Sequence, residues 1–122
     1  MALDKVLIVD DDKNICDLLR LYLEKEGYSV ILSHDGEEAV VKFNALKPDI
    51  VLLDVMLPKI DGFGVCELIR RQSQVPILMV TALDGEDQQL RGFGLDVDDY
   101  ITKPFSMPVL LEKIRVILRR SG

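Results

Sequence analysis

The chain has 122 residues and a mass of 13.8 kDa; 48% of its residues are hydrophobic and 30% charged, which is the length and make-up of one domain able to bury a core. That composition excludes disorder. The net charge of -6 and a sequence pI of about 4.7 exclude a non-specific nucleic-acid binder.

The longest apolar runs, Val6–Val9, Ile50–Leu53 and Ile77–Val80, are far short of the roughly 20 residues that cross a membrane. No charged-then-apolar leader opens the sequence, so no secretory signal is expected. Cys16 and Cys66 lie in apolar-periodic stretches without CxxC spacing, which reads as two reduced, buried thiols of a cytoplasmic protein.

Residues 5–9 form a short β-branched run that stops at Asp10-Asp11-Asp12; such a run suits a strand covered on both faces. Ile15, Leu18, Leu19, Tyr22 and Leu23 then recur at helical spacing, with Gly27 as the C-terminal stop. Residues 29–33 read as a second strand. The His34-Asp35-Gly36 turn leads to a helix carrying Ala39, Val40, Phe43 and Leu46, which Pro48 ends. Ile50–Leu53 is a third strand, closed by Asp54, and the loop 57–62 precedes a helix with Val65, Cys66 and Ile69. Ile77–Val80 is a fourth strand, closed by Thr81. Residues 85–94 make the weakest helix, with Leu90 and Phe93 as its large apolar residues and three glycines. Tyr100–Thr102 is a fifth strand, closed by Lys103-Pro104. A last helix over 106–120 is expected to bury Leu110, Leu111, Ile114, Ile117 and Leu118.

Strands alternating with helices imply a parallel sheet with helices on both faces. Ligands of such folds bind beyond the carboxyl ends of the strands. The residues there are Asp10, Asp11, Asp54, Thr81 and Lys103. If strands one and three are neighbours, the carboxylates of Asp10, Asp11 and Asp54 converge and need a cation or a raised pKa. Hard oxygen donors around an open cleft suit Mg²⁺. The Lys103 ammonium and Thr81 hydroxyl are donors that suit a phosphoryl group, and Asp54 has the chemistry of a carboxylate nucleophile. Any one of these residues alone reads better as a cap or turn residue, and Asp12 is expected to serve as the N-cap of the first helix.

The sequence resembles the receiver domains of bacterial two-component response regulators. The motifs that carry the resemblance are Val-Leu-Ile-Val-Asp-Asp (6–11), Asp-Ile-Val-Leu-Leu-Asp-Val-Met-Leu-Pro (49–58) with Asp61-Gly62, Val-Thr-Ala (80–82), and Asp98-Asp99-Tyr100-Ile101-Thr102-Lys103-Pro104-Phe105. It covers essentially residues 1–122 as one receiver domain, expected to be the amino-terminal part of a longer regulator. The fold it implies is a doubly wound (βα)5, flavodoxin-like (CheY-like) domain with a five-stranded parallel sheet in order 2-1-3-4-5. It implies Asp54 as phosphoacceptor. Asp10, Asp11, Asp54 and the Met56 backbone carbonyl would hold Mg²⁺ (or Mn²⁺). Thr81, Ala82 and Lys103 would bind the phosphoryl group, Thr81 and Tyr100 would act as the switch, and the Lys103-Pro104 peptide would be cis. The partner it implies is a sensor histidine kinase. The chemistry is self-phosphorylation from that donor and autodephosphorylation, not enzymatic turnover of a separate substrate.

Lys-Pro-Phe at 103–105 and the Ile-Arg-x-x-Leu-Arg-Arg pattern at 114–120 look most like the OmpR/PhoB subfamily. That resemblance implies a DNA-binding output domain, with DNA contacted only through it. It also implies a homodimer through the 85–94 helix, the fifth strand and the last helix. The dimer surface would include Gln89, Asp98, Asp99, Val109, Lys113, Arg115 and Arg120. Gln89 and Val109 stand where the subfamily has a lysine and a glutamate that pair with each other, so both halves of one bridge are replaced together. An exposed pair is worth about 0–1 kcal/mol, so the same surface is still expected to dimerise. Asp96-Val97 stands where Gly-Ala is usual. His34 is read as a loop residue away from the carboxylates. Apolar Met56 and Leu83 beside the pocket imply slow autodephosphorylation.

Two other doubly wound readings fit less well. An FMN carrier needs a Ser/Thr/Gly-rich phosphate loop where Asp10–Asp12 stand. A haloacid-dehalogenase-type phosphatase needs an acid where Met56 stands. A degenerate receiver, retained only for interactions, is expected to have lost a site residue, and none of the set is missing.

Overall fold

The computed structural model describes residues 3–82 and 96–121. Five strands, β1 (Lys5–Val9), β2 (Ser29–Ser33), β3 (Ile50–Asp54), β4 (Ile77–Thr81) and β5 (Asp99–Thr102), form one parallel sheet in the order β2-β1-β3-β4-β5. Four helices are described: α1 (Lys13–Lys25), α2 (Gly36–Leu46), α3 (Gly62–Arg70) and α4 (Met107–Ser121). The helix expected over 85–94, with Leu83 and Gln89, lies outside the described residues. Among the described residues no helix is long and apolar enough to cross a membrane.

The strands are short because each apolar run is short, and the central ones are apolar throughout because both faces are covered. Alternate side chains of one strand point to opposite faces. Val6 and Ile8 therefore join the core under α1 and α4, with Leu19, Leu110 and Ile114. Leu7 and Val9 join the core under α2 and α3, with Phe43, Val65 and Ile69. Cys16 lies in the first cluster and Cys66 in the second, both buried and free, as the sequence predicts.

The helix starts follow capping chemistry. Asp12 accepts from the backbone N–H groups of Asn14 at 2.9 Å and Ile15 at 3.3 Å, the cap expected of it. Asp35 caps α2 through Glu38 N–H, and Asp61 caps α3 through Gly64 N–H, each at 2.8 Å. Gly27 follows the C-cap of α1 with φ +93°, a left-handed conformation that favours glycine.

Three helical faces differ from the periodicity. The buried stripe of α1 is Cys16, Leu19 and Leu23, and Leu18 and Tyr22 beside it are exposed. Leu46, in the last turn of α2, is also exposed. In α4, Leu110, Ile114 and Ile117 are buried, whereas Leu111 and Leu118 flank that stripe and are only partly covered. A helix laid on a sheet covers one narrow stripe, and apolar residues about 100° away from it stay at the margin.

Candidate functional site

Parallel pairing brings the carboxyl ends of the strands to one edge. Val9 is opposite Leu53, Asp54 is opposite Val80, and Thr81 is opposite Thr102. Asp10, Asp54, Thr81 and Lys103 therefore sit at the ends of four adjacent strands. Asp54 and Thr81 are the last residues of β3 and β4 themselves. Lys103 N–H donates to the Thr81 carbonyl at 2.7 Å, which continues the β4–β5 ladder into the site.

One oxygen from each of Asp10, Asp11 and Asp54 lies within 4.8 Å of the others, Asp10 and Asp54 being buried and Asp11 exposed. Lys103 Nζ lies 2.8 Å from Asp54 Oδ2 and 3.3 Å from Asp10 Oδ2. The remaining oxygens are tied to the main chain: Asp10 Oδ1 accepts from Asp12 N–H at 2.9 Å, and Asp54 Oδ1 from Met56 N–H at 3.2 Å.

Burial is the main reason the Asp54 carboxyl is held above its ordinary value; the Asp10 charge adds to it and the Lys103 hydrogen bond opposes it. Burial alone would lower Lys103, but its Asp54 hydrogen bond and the two carboxylate charges outweigh that and hold the ammonium above its ordinary value. The excess of carboxylates over the ammonium pushes both groups the same way, adding to burial at Asp54 and opposing it at Lys103. Lys103 is over-satisfied and Asp54 is under-compensated.

The Thr81 hydroxyl is buried and has no hydrogen-bond partner among the described residues. Such a group ordinarily finds one. The oxygen donors fit a hard divalent cation, and the free hydroxyl beside Lys103 fits a ligand with acceptor oxygens. Ala82 is exposed, the Met56 side chain is 67% exposed, and the Lys103-Pro104 peptide is cis. Tyr100 is half-buried against the core under α2 and α3.

A family model described as the response regulator receiver domain matches residues 6–115. The chain belongs to that family. Its curated relatives include the alkaline phosphatase synthesis transcriptional regulatory protein PhoP of Bacillus subtilis (strain 168), 50% identical over 118 residues, 96% of this chain and 49% of the relative. The probable transcriptional regulator ycf27 of Guillardia theta is 48% identical over 119 residues, 98% of this chain and 47% of the relative. The chain thus spans about half the length of these relatives. Among solved structures, the BeF3-activated receiver domain of Klebsiella pneumoniae RstA has a TM-score of 0.87 at 36% identity, covering 95% of this chain and 99% of that one. A two-component response regulator from Clostridium difficile has a TM-score of 0.90 at 34% identity, covering 98% of each chain.

This receiver keeps most of its expected dimer-surface charges occupied within the chain. Lys113 Nζ lies 2.8 Å from Asp99 Oδ2, and Arg115 pairs with Glu112 on α4. Asp98 Oδ2 accepts from Ile77 N–H at 2.8 Å and from Arg70 Nη2 at 3.4 Å. Val109 and Arg120 are exposed.

Two contacts were not read from the sequence, one at the amino ends of β4 and β5 and one beside the acidic cluster. Arg70, 13% exposed, donates to the Asp96 carbonyl at 2.7 Å and to the Val75 carbonyl at 2.7 Å, pinning the segment before β5 to the end of α3. Asp96-Val97 has a role there: Asp96 pairs with Arg70, and Val97 packs on the core. His34 lies in the loop after β2, as expected, and its Nδ1 is 3.1 Å from the Asp10 main-chain carbonyl oxygen, a contact not foreseen. The signal for it was available. His34 follows β2 as Asp10 follows β1, and Val9 pairs with Ser33.

Proposed function

We propose that this receiver accepts a phosphoryl group onto Asp54 from a sensor histidine kinase. Asp10, Asp11, Asp54 and the Met56 backbone carbonyl would hold Mg²⁺ or Mn²⁺. The observation that carries the reading is the meeting of three carboxylates, one ammonium and one buried hydroxyl without a partner among the described residues, at the ends of four strands. A divalent cation bound there supplies positive charge opposite the incoming phosphoryl oxygens.

The chain's own groups do the rest. An oxygen of the Asp54 carboxylate bonds to phosphorus, and the bond from phosphorus to the donor's imidazole nitrogen breaks with its electron pair leaving on the histidine. Lys103 turns its ammonium from the carboxylates to the phosphoryl oxygens. The Thr81 hydroxyl donates to another of those oxygens, and Ala82 leaves them room. Movement of Thr81 lets Tyr100 turn inward, and the surface of residues 85–94, β5 and α4 shifts its population toward a dimer. Val109 provides an apolar contact in that dimer in place of an ion pair. The length and names of the curated relatives support a DNA-binding output domain controlled by this shift.

Intact mass after incubation with Mg²⁺ and acetyl phosphate tests the reading. One added phosphoryl group is expected on the native chain and none on Asp54→Ala. Adducts on both chains would show another nucleophile.

A further inference from the structure

Asp10 is the first residue past β1, so its peptide has left the strand, yet it is 4% exposed. A buried main chain at that point needs partners from elsewhere. Its N–H donates to the Ser33 carbonyl at 3.0 Å. Its carbonyl oxygen is met by two side chains that the acceptor chemistry leaves unused: His34 Nδ1 at 3.1 Å and Cys16 Sγ at 3.3 Å.

A carbonyl oxygen only accepts, so Nδ1 carries the hydrogen in this contact. The thiol donates as well. His34 is anchored in turn, its backbone N–H donating to Glu38 Oε1 at 3.2 Å. Glu38 N–H donates to the Asp35 cap at 2.8 Å, which ties His34 to the start of α2.

The other end of Asp10 is its carboxylate, facing Lys103 and Asp54. Backbone orientation sets where that carboxylate can point, so a clamp on the carbonyl acts on the acidic cluster. We propose that His34 and Cys16 are positioning residues for the receiver's cation site, together fixing the Asp10 peptide and so aiming its carboxylate. Neither touches the reacting atoms. The inference rests on the reading of Asp10 as a cation ligand.

The test uses the whole chain and Mg²⁺ alone, titrated by amide NMR shifts, so no phosphoryl donor enters. His34→Ala removes the donor, and His34→Asn returns an N–H near the Nδ1 position. Cys16→Ala and Cys16→Ser form the matching pair. The Mg²⁺ dissociation constant of each alanine variant is expected to rise about tenfold, the low end for losing an outer partner of a metal ligand, with the asparagine and serine variants staying within about threefold of native. His34 is the single histidine of the chain, so its ring ¹⁵N signals are unambiguous, and Nδ1 is expected to show the shift of a protonated nitrogen. Native Mg²⁺ affinity in His34→Ala, with or without a lower melting temperature, would overturn the inference. Equal losses in His34→Ala and His34→Asn, or an unprotonated Nδ1, would overturn it too. Absence of Mg²⁺ binding by the native chain would instead overturn the phosphoacceptor reading, and the inference with it.

Discussion

Replacing Thr81 by valine is expected to stabilise the resting protein while impairing its response. Thr81 ends β4, is 1% exposed, and its hydroxyl has no partner among the described residues. A buried, unsatisfied hydroxyl costs about 1–3 kcal/mol relative to a satisfied or apolar one. Valine has nearly the same shape, the same β-branched preference for a strand, and a methyl group in place of the hydroxyl. The gain expected in the absence of Mg²⁺ and phosphoryl donor is therefore about 1–3 kcal/mol, or about 4 °C in Tm for each kcal/mol in a domain of this size. Urea unfolding and calorimetry read the two quantities independently. Intact mass should still show phosphorylation of the variant, because Asp54 is untouched. Size-exclusion analysis should show less of the phosphorylation-linked change than in the native chain. A destabilised Thr81→Val protein would refute the reasoning, because the hydroxyl would then be engaged in the resting fold rather than held for a ligand.

Lys103→Met removes the ammonium that faces Asp10 and Asp54. Breaking a buried pair costs about 3–5 kcal/mol, and the 30% exposure of the lysine side chain puts this case at or below the low end, about 3 kcal/mol. Mg²⁺ should restore more stability to that variant than it adds to the native chain, and an equal increment in both would contradict the shared-charge account. Gly36→Ala would place a Cβ 1.9 Å from the Ile60 carbonyl oxygen, so α2 and the β3–α3 loop must separate. A loss of about 1–3 kcal/mol in urea unfolding is expected, and a loss below about 0.5 kcal/mol would show that the close approach is dispensable. The hydrogen bond from Glu38 N–H, with the Lys59 charge, holds the Asp35 carboxyl below its usual value, so its contribution is present at neutral pH and lost as pH falls through the carboxylate range. The Tm difference between native and Asp35→Ala should therefore close on acidification; a constant difference would mean that the cap does not depend on ionisation. Both cysteines are buried, with thiols held above their ordinary values, so neither should be alkylated at pH 8 until denaturant is added.

The strand ends were legible because each apolar run stops at a group that water or a ligand must satisfy. Boundaries moved by one residue at Asp54, Thr81 and Asp99, since a parallel ladder uses only main-chain groups and continues past a polar side chain. The acidic cluster was legible for the same reason as the strands. Two acids, a hydroxyl and an ammonium at the same end of four different strands leave little room for a capping explanation. Long-range pairing was not legible. Nothing in local pattern tells Arg70 that its carbonyl partner is Asp96, 26 positions away. Periodicity likewise could not separate Leu19 from Leu18, which are neighbours in sequence and differ only in which side of a narrow stripe they occupy. His34 is the loop residue expected, and its contact with the Asp10 main-chain carbonyl follows from strand register rather than from cation or phosphate chemistry.

Charge arithmetic at the site explains why a hydroxyl should be held without a partner. With Asp10, Asp11 and Asp54 ionised and Lys103 protonated, three negative charges meet one positive charge, leaving two negative charges. One divalent cation balances them. On the reading proposed here, phosphorylation removes the Asp54 charge but adds a phosphoryl group of about two negative charges. The occupied site then carries about one negative charge more than before. Lys103 is already counted, and no further buried cation is described nearby. The excess must be met by neutral donors, and a buried Thr81 hydroxyl is such a donor at the right strand end. On that reading, its resting penalty is the counterpart of a hydrogen bond formed only in the phosphorylated state. On the same reading, that difference contributes to the free energy that biases one state over the other. Valine at position 81 removes both the penalty and the difference, so resting stability should rise as the response falls, in one variant and from one cause.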